Sequence, residues 1–179
     1  MEPDPARGLP PVPTALPASG RRPVGEASRA RERGYGPPEC MAIPRLQLSS
    51  AVSEVGVEHG EYDVPLWTVG HHADSSEPGV PGNSIYNGHV ETLHAGRVFA
   101  HLKDLAPGDA VYVYTPTYRL AWRVENVESV PNGDTRFLQP TPDRRITLYT
   151  CTGRWDPLAR DYTERLVVVA RLVGVNPRA

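Results

Sequence analysis

Only two cysteines, a single lysine and no long apolar run occur in this chain of 179 residues. Cys40 and Cys151 could pair, but a disulfide framework is not expected. Cys40 lies beside Pro37 and Pro38 at the edge of the folded part, so Cys151 reads as a free thiol. No run of 18 or more apolar residues is present, and residues 1–30 lack the basic, apolar and small-residue order of a signal peptide. These absences predict a soluble chain without a membrane-spanning helix. An excess of positive charge is missing too. A formal net charge of −2 excludes nucleic-acid binding driven by neutralising phosphates.

Proline and arginine are plentiful, but unevenly placed. Nine of the 20 prolines (Pro3, Pro5, Pro10, Pro11, Pro13, Pro17, Pro23, Pro37 and Pro38) fall in the first 40 residues, together with Arg7, Arg21, Arg22, Arg29, Arg31 and Arg33. Such a segment buries too little apolar surface to offset its conformational entropy. Residues 1–41 are therefore expected to be a disordered arm or linker and 42–179 a single domain, since the length suits one core rather than two.

From Ala42 onward, short β-branched runs alternate with Gly, Pro, Asn and Asp, which predicts an all-β barrel or sandwich. Strands are expected over Ala42–Leu48, Ser53–Val57, Asn83–Tyr86, Asp109–Thr115, Tyr118–Ser129, Ile146–Cys151 and Leu166–Val175. One short helix is expected over Arg97–Leu105, where Val98, His101, Leu102 and Leu105 recur at spacings of three and four. Glu128–Arg145 and Thr152–Glu164 read as long loops, and His71-His72 also reads as loop.

The chemistry gathers around Thr147-Leu148-Tyr149-Thr150-Cys151. If this run and Leu166–Val175 are consecutive antiparallel strands, the end of the first lies beside the start of the second, and Cys151 becomes a neighbour of Arg165. A free thiol is only a few per cent ionised at neutral pH, so an adjacent histidine or arginine matters to its reactivity. His89, in Asn87-Gly88-His89, offers proton transfer, and the forked donors of an arginine suit an oxyanion.

These segments resemble the sortases, the cysteine transpeptidases of Gram-positive surfaces. Thr147–Cys151 matches their Thr-Leu-x-Thr-Cys signature. Ile85-Tyr86-Asn87-Gly88-His89 resembles the segment of their catalytic histidine, and Tyr162–Ala170 the strand of their catalytic arginine. Phe99–Leu105 followed by Pro107-Gly108-Asp109 is similar to the helical turn and Gly-Asp between them. The resemblance spans roughly 42–175.

The resemblance implies an eight-stranded β-barrel with one or two short helices. It assigns Cys151 as nucleophile, His89 as general acid and base, and Arg165 as the residue steadying substrate and oxyanion. It sets Thr150 and Leu148 beside the substrate groove. The implied reaction cleaves an LPxTG- or LAxTG-like sorting signal between Thr and Gly through a thioacyl intermediate. An amine on a peptidoglycan precursor or a pilin lysine then takes the acyl group. No cofactor or metal is implied. The implied location is the outer face of the cell membrane, with the usual N-terminal anchor trimmed from this sequence. Trp155-Asp156-Pro157 and the arginine-rich, lysine-poor composition favour a class E- or F-like housekeeping type, with class D-like as the alternative. Arg154 and Arg160 are the fallback arginines.

Other readings remain. His71, His72, His89, His94 and Cys151 offer a metal-site reading without metal-ligand spacing. A different cysteine transpeptidase or peptidase, or a non-catalytic β-barrel peptide-binding module, fits part of the pattern. Leu16-Pro17-Ala18-Ser19-Gly20 reads like a sorting motif with serine for threonine, through which the arm would contact its own or a neighbouring groove.

Overall fold

The structure, a computed structural model, describes residues 34–90 and 97–178. The Leu16–Gly20 motif and His94 lie outside the described residues, as does nearly all of the predicted arm. Strands β1 (Cys40–Ile43), β2 (Leu48–Val55), β3 (Val57–Glu58), β4 (Glu61–Tyr62), β5 (Val69–His72), β6 (Gly82–Asn87), β7 (Ala110–Tyr114), β8 (Tyr118–Pro131), β9 (Arg144–Asp156) and β10 (Asp161–Pro177) follow in chain order. Eight of them close into a barrel in the order β1-β2-β5-β6-β9-β10-β8-β7, with β7 pairing back onto β1. The β3–β4 hairpin stands apart as a two-stranded sheet, turning through His59 and Gly60, both at positive φ.

Alternation of side chains along each strand builds the core. Met41 and Ile43 of β1, Val111 and Val113 of β7, and Leu120, Trp122 and Val124 of β8 face inward. So do Ile146 and Leu148 of β9, and Leu166, Val168 and Ala170 of β10. Each of the larger apolar side chains among them contributes about 1.5–3 kcal/mol on burial, which fixes the register, since a one-residue slip would expose the whole set.

The expected all-β barrel of eight strands is what forms. The differences are local. The strand expected over Ala42–Leu48 is two short pieces separated by a 3-10 turn at Pro44–Leu46, and the next runs over Leu48–Val55 rather than Ser53–Val57. Cys40 is no boundary residue: it opens β1, paired with Ala51 on one side and Tyr114 on the other. His71-His72 is strand β5, not loop; all four of its residues are buried, and it pairs in parallel with β2.

The helix expected over Arg97–Leu105 is instead a series of tight turns. Ala100, Leu102, Asp104 and Leu105 each donate to the carbonyl three residues back, and a 3-10 turn spans Leu102–Asp104. Three residues per turn put Phe99, Leu102 and Leu105 on the core side and leave His101 exposed beside Asp104. The expected loop Thr152–Glu164 is mostly strand, because β9 and β10 continue as a hairpin whose turn is only Pro157–Arg160. The loop expected over Glu128–Arg145 narrows to the stretch between Pro131 and Arg144.

Candidate active site

Cys151 sits on β9 directly opposite Arg165 of β10 in the antiparallel register, followed inward by Thr150 opposite Leu166 and Tyr149 opposite Val167. The neighbourhood expected from sequence is thus a direct cross-strand pair. Alternation turns Leu148 and Thr150 to the barrel interior and sets Tyr149 and Cys151 on the outer face with Arg165.

His89 arrives by the other neighbour of β9. Strand β6 runs parallel to β9, with Tyr86 beside Leu148 and Asn87 beside Tyr149. The two chains stay tied one residue further, where the Thr150 hydroxyl donates to the Gly88 carbonyl at 2.6 Å. His89 therefore leaves β6 alongside the strand that carries Cys151. Its Nε2 lies 3.2 Å from the Val64 carbonyl, and its own carbonyl accepts from the Phe99 N–H at 3.0 Å. A carbonyl only accepts, so Nε2 carries a hydrogen and Nδ1 is the nitrogen available for proton exchange. Gly88 is needed at this point because a Cβ there would lie 2.8 Å from the Phe99 ring.

Burial pushes the Cys151 thiol above its ordinary value; the Arg165 charge opposes that rise and Asp161 adds to it. The resting group is a thiol, with the thiolate a minor form at neutral pH. Arg165 donates from Nη2 to Asp161 at 2.6 Å and from Nη1 to the carbonyls of Glu164 (3.1 Å) and Tyr162 (3.2 Å).

A polar cluster that sequence reasoning missed adjoins the pair. Tyr149 shares a 3.0 Å hydrogen bond with His72 Nε2, and Asn87 Nδ2 donates to the Asp63 carbonyl at 2.9 Å and reaches the Tyr149 hydroxyl at 3.4 Å. Tyr62 of the β3–β4 hairpin stacks on His72, and Phe137 packs against Tyr149. Burial drives the His72 pKa down to about 4, leaving it a neutral partner of the phenol. The only advance sign of the cluster was that Tyr149 and Cys151 share a strand face, and His72 gave none while its strand went unrecognised.

A family model for the sortase domain matches residues 41–173, nearly all of the barrel. The chain belongs to the sortase family. Sortase E from Streptomyces avermitilis superposes with a TM-score of 0.62 at 26% identity, covering 80% of this chain and 92% of that one. Sortase A from Listeria monocytogenes does so with a TM-score of 0.64 at 20% identity, covering 78% and 89%. Sortase E1 from Streptomyces coelicolor, whose structure holds a tripeptide in the active site, gives 0.61 at 23%, covering 80% and 91%. Similar solved structures include sortases of classes A, C, D and E. No curated protein sequence matches the chain.

Family membership makes this sortase a cysteine transpeptidase in the general sense, and sortases act at the cell surface. Among its described residues no helix is long and apolar enough to cross a membrane. Of the expected groove residues, Leu148 is fully buried in the core, and Thr150 is buried with its hydroxyl committed to Gly88. Arg154 and Arg160 are exposed, Arg160 in the hairpin turn at φ 53°, and neither pairs across from Cys151. The metal reading meets a geometric obstacle, because consecutive residues of a strand face opposite sides. His71 points inward to Glu54 (2.6 Å) and Ser84 (3.1 Å), whereas His72 points outward to Tyr149, so the two cannot share one ion. Cys40 and Cys151 are both free thiols.

Proposed function

We propose that the protein is a sorting-signal transpeptidase in which Cys151, His89 and Arg165 carry the chemistry. The observation that supports this most directly is the register in which Arg165 faces Cys151 while β6 delivers His89 along the other side of β9.

Cys151 passes its proton to Nδ1 of His89, and the resulting thiolate attacks the carbonyl carbon of the Thr–Gly bond in an LPxTG- or LAxTG-like peptide. The carbonyl oxygen takes the negative charge, and the fixed positive charge of Arg165 stabilises it. The C–N bond then breaks as His89 gives a proton to the departing glycine amine, leaving a thioester on Cys151. In the second half an acceptor amine loses its proton to His89 and attacks the thioester. The new amide forms and the thiol is restored. Acceptors of this type are the amine of a peptidoglycan precursor and a lysine of another surface protein. The tripeptide held by the Streptomyces coelicolor relative fits a short extended substrate of this kind. The class E- or F-like assignment rests on composition and on Trp155-Asp156-Pro157.

Thr150 serves this reading as a tie between the Cys151 and His89 strands rather than as a lining residue. The deciding test incubates the wild type and Cys151→Ala with fluorogenic LPxTG and LAxTG peptides, with and without an amine acceptor. Intact-mass spectrometry then looks for the acyl adduct. An adduct on Cys151 that the amine releases is expected; no adduct with any sorting peptide overturns the proposal.

A further inference from the structure

Arg165 has a long side chain and many rotamers, so a fixed guanidinium needs holding groups. In this fold they come from the hairpin that extends β9 and β10 beyond the barrel. Regular pairing breaks between Tyr162 and Glu164, where Tyr162 faces Trp155 but Glu164 faces Thr152. The extra residue on β9 is accommodated at Gly153, whose φ is +80°, and the Thr163 hydroxyl caps the bend by accepting the Arg154 N–H at 3.0 Å.

In a straight strand, residues four apart lie about 13 Å from each other. Here the long Arg165 side chain and the Asp161 carboxylate, on the same face of β10, meet across the bulge at 2.6 Å. The hairpin is itself braced by the residue that follows β8: the Asn132 side chain donates to the Tyr162 carbonyl at 3.0 Å and bonds Asp161, and the Asn132 N–H donates to the Thr163 carbonyl at 3.1 Å. Burial pushes the Asp161 carboxyl up, but hydrogen bonds from Arg165, the Tyr162 N–H and Asn132 outweigh it and hold it below the usual carboxylate range.

We propose that Asp161 is a positioning residue: its carboxylate fixes the Arg165 guanidinium across from Cys151, with Nε–H and one Nη2–H left for the substrate. This rests on the transpeptidase reading above. The arrangement carries a cost. The charged and titratable groups that bear on Cys151 are Arg165 and Asp161 of β10 and Tyr149 of its own strand, with His89 in the segment that follows β6. Among them Asp161 works against the thiolate, both by its own charge and by partly neutralising Arg165. Removing its charge therefore makes Cys151 easier to ionise while leaving Arg165 poorly placed. Damage to the fold would not produce that opposition.

The experiment compares the wild-type full chain with Asp161→Asn, Asp161→Ala and Asp161→Glu. It reads kcat and KM on the fluorogenic LAxTG and LPxTG peptides and the pH profile of Cys151 alkylation by iodoacetamide. In Asp161→Asn, kcat is expected to fall roughly ten- to a hundredfold with a smaller change in KM, while the alkylation midpoint moves to lower pH. Asp161→Glu is expected to recover part of kcat, and Asp161→Ala to behave like Asp161→Asn. A kcat within about twofold of wild type in both Asn and Ala variants overturns the proposal, as does an alkylation midpoint that stays put or rises. A wild type inert toward every sorting peptide removes the transpeptidase reading instead. The alkylation profiles then still decide whether Asp161 governs the charge beside Cys151.

Discussion

Replacing Thr150 by valine tests how the site is assembled, because it changes one buried hydroxyl and little of the shape. That hydroxyl is the last tie between β9 and the segment of His89, donating to the Gly88 carbonyl at 2.6 Å from a residue only 3% exposed. Valine fills the same space but leaves the carbonyl without its partner, at a cost of about 1–3 kcal/mol. For a domain of this size that corresponds to a fall in Tm of roughly 2–12 °C, well within what a protein stable by about 5–15 kcal/mol survives.

The loss should reach catalysis as well. Gly88 precedes His89, and a shift of about 1 Å in a reacting group lowers turnover by up to roughly a hundredfold. Thr150→Val is therefore expected to lose both Tm and kcat, whereas Thr150→Ser, which keeps the hydroxyl, retains most of kcat. Calorimetry and peptide turnover on the three proteins check this. A valine variant with wild-type Tm and kcat would refute the idea that this bond sets the relation between the two strands.

Gly153→Ala is expected to destabilise the protein by about 1–2 kcal/mol, because it puts a Cβ at φ +80° and 2.6 Å from the Thr163 hydroxyl. It should also reduce turnover by disturbing the bulge beside the Asp161–Arg165 pair; thermal melts and peptide assays read both. Alkylation of Cys151 should have its midpoint above the free-cysteine value of about 8.5, since burial favours the thiol. Arg165→Ala should move that midpoint higher still, because the opposing positive charge is gone, and a downward move would contradict the assignment.

His72 predicts an acid sensitivity. Its folded pKa of about 4 lies below the unfolded value of 6.5, so the unfolded chain takes up a proton first as pH falls. Stability should drop by about 3 kcal/mol between pH 6.5 and 4 from this group and then level off. His72→Gln should flatten that part of a urea-denaturation series.

Reading the chain in sequence order captured the parts whose signals were local. Leu166-Val167-Val168-Val169-Ala170 is an uninterrupted apolar run, and the run ending at Cys151 is β-branched, so their pairing and the meeting of Cys151 with Arg165 were legible. Strand β5 was not, since Val69-Gly70-His71-His72 carries no β pattern and is stabilised by partners far along the chain, Glu54 for His71 and Tyr149 for His72. The hairpin beyond Cys151 was hidden by Gly153 and Pro157, residues that usually end strands but here make a bulge and a turn. The 3-10 series at Arg97–Leu105 looked like a helix because spacings of three occur in both; the structure departs from a helix in its hydrogen bonds three residues back and in facing Phe99 rather than His101 inward. Thr150 and Leu148 follow from simple alternation once Cys151 is put on the outer face.

Strand pairing within the barrel also governs how a peptide can be read. In the barrel order each of the eight strands has a neighbour on both sides, but β6 ends at Asn87 beside Tyr149, so the stretch of β9 that carries Cys151 is paired with β10 alone. On the proposed reading, a peptide near Cys151 meets both that stretch of strand and separately placed groups such as loop carbonyls and side chains. Recognition by a ladder is largely indifferent to sequence; recognition by separately placed groups such as the Arg165 guanidinium is not. On the proposed reading, selectivity for a short motif comes from those separately placed groups, and changes in the surrounding loops can retune it while the strands holding the reacting groups stay as they are.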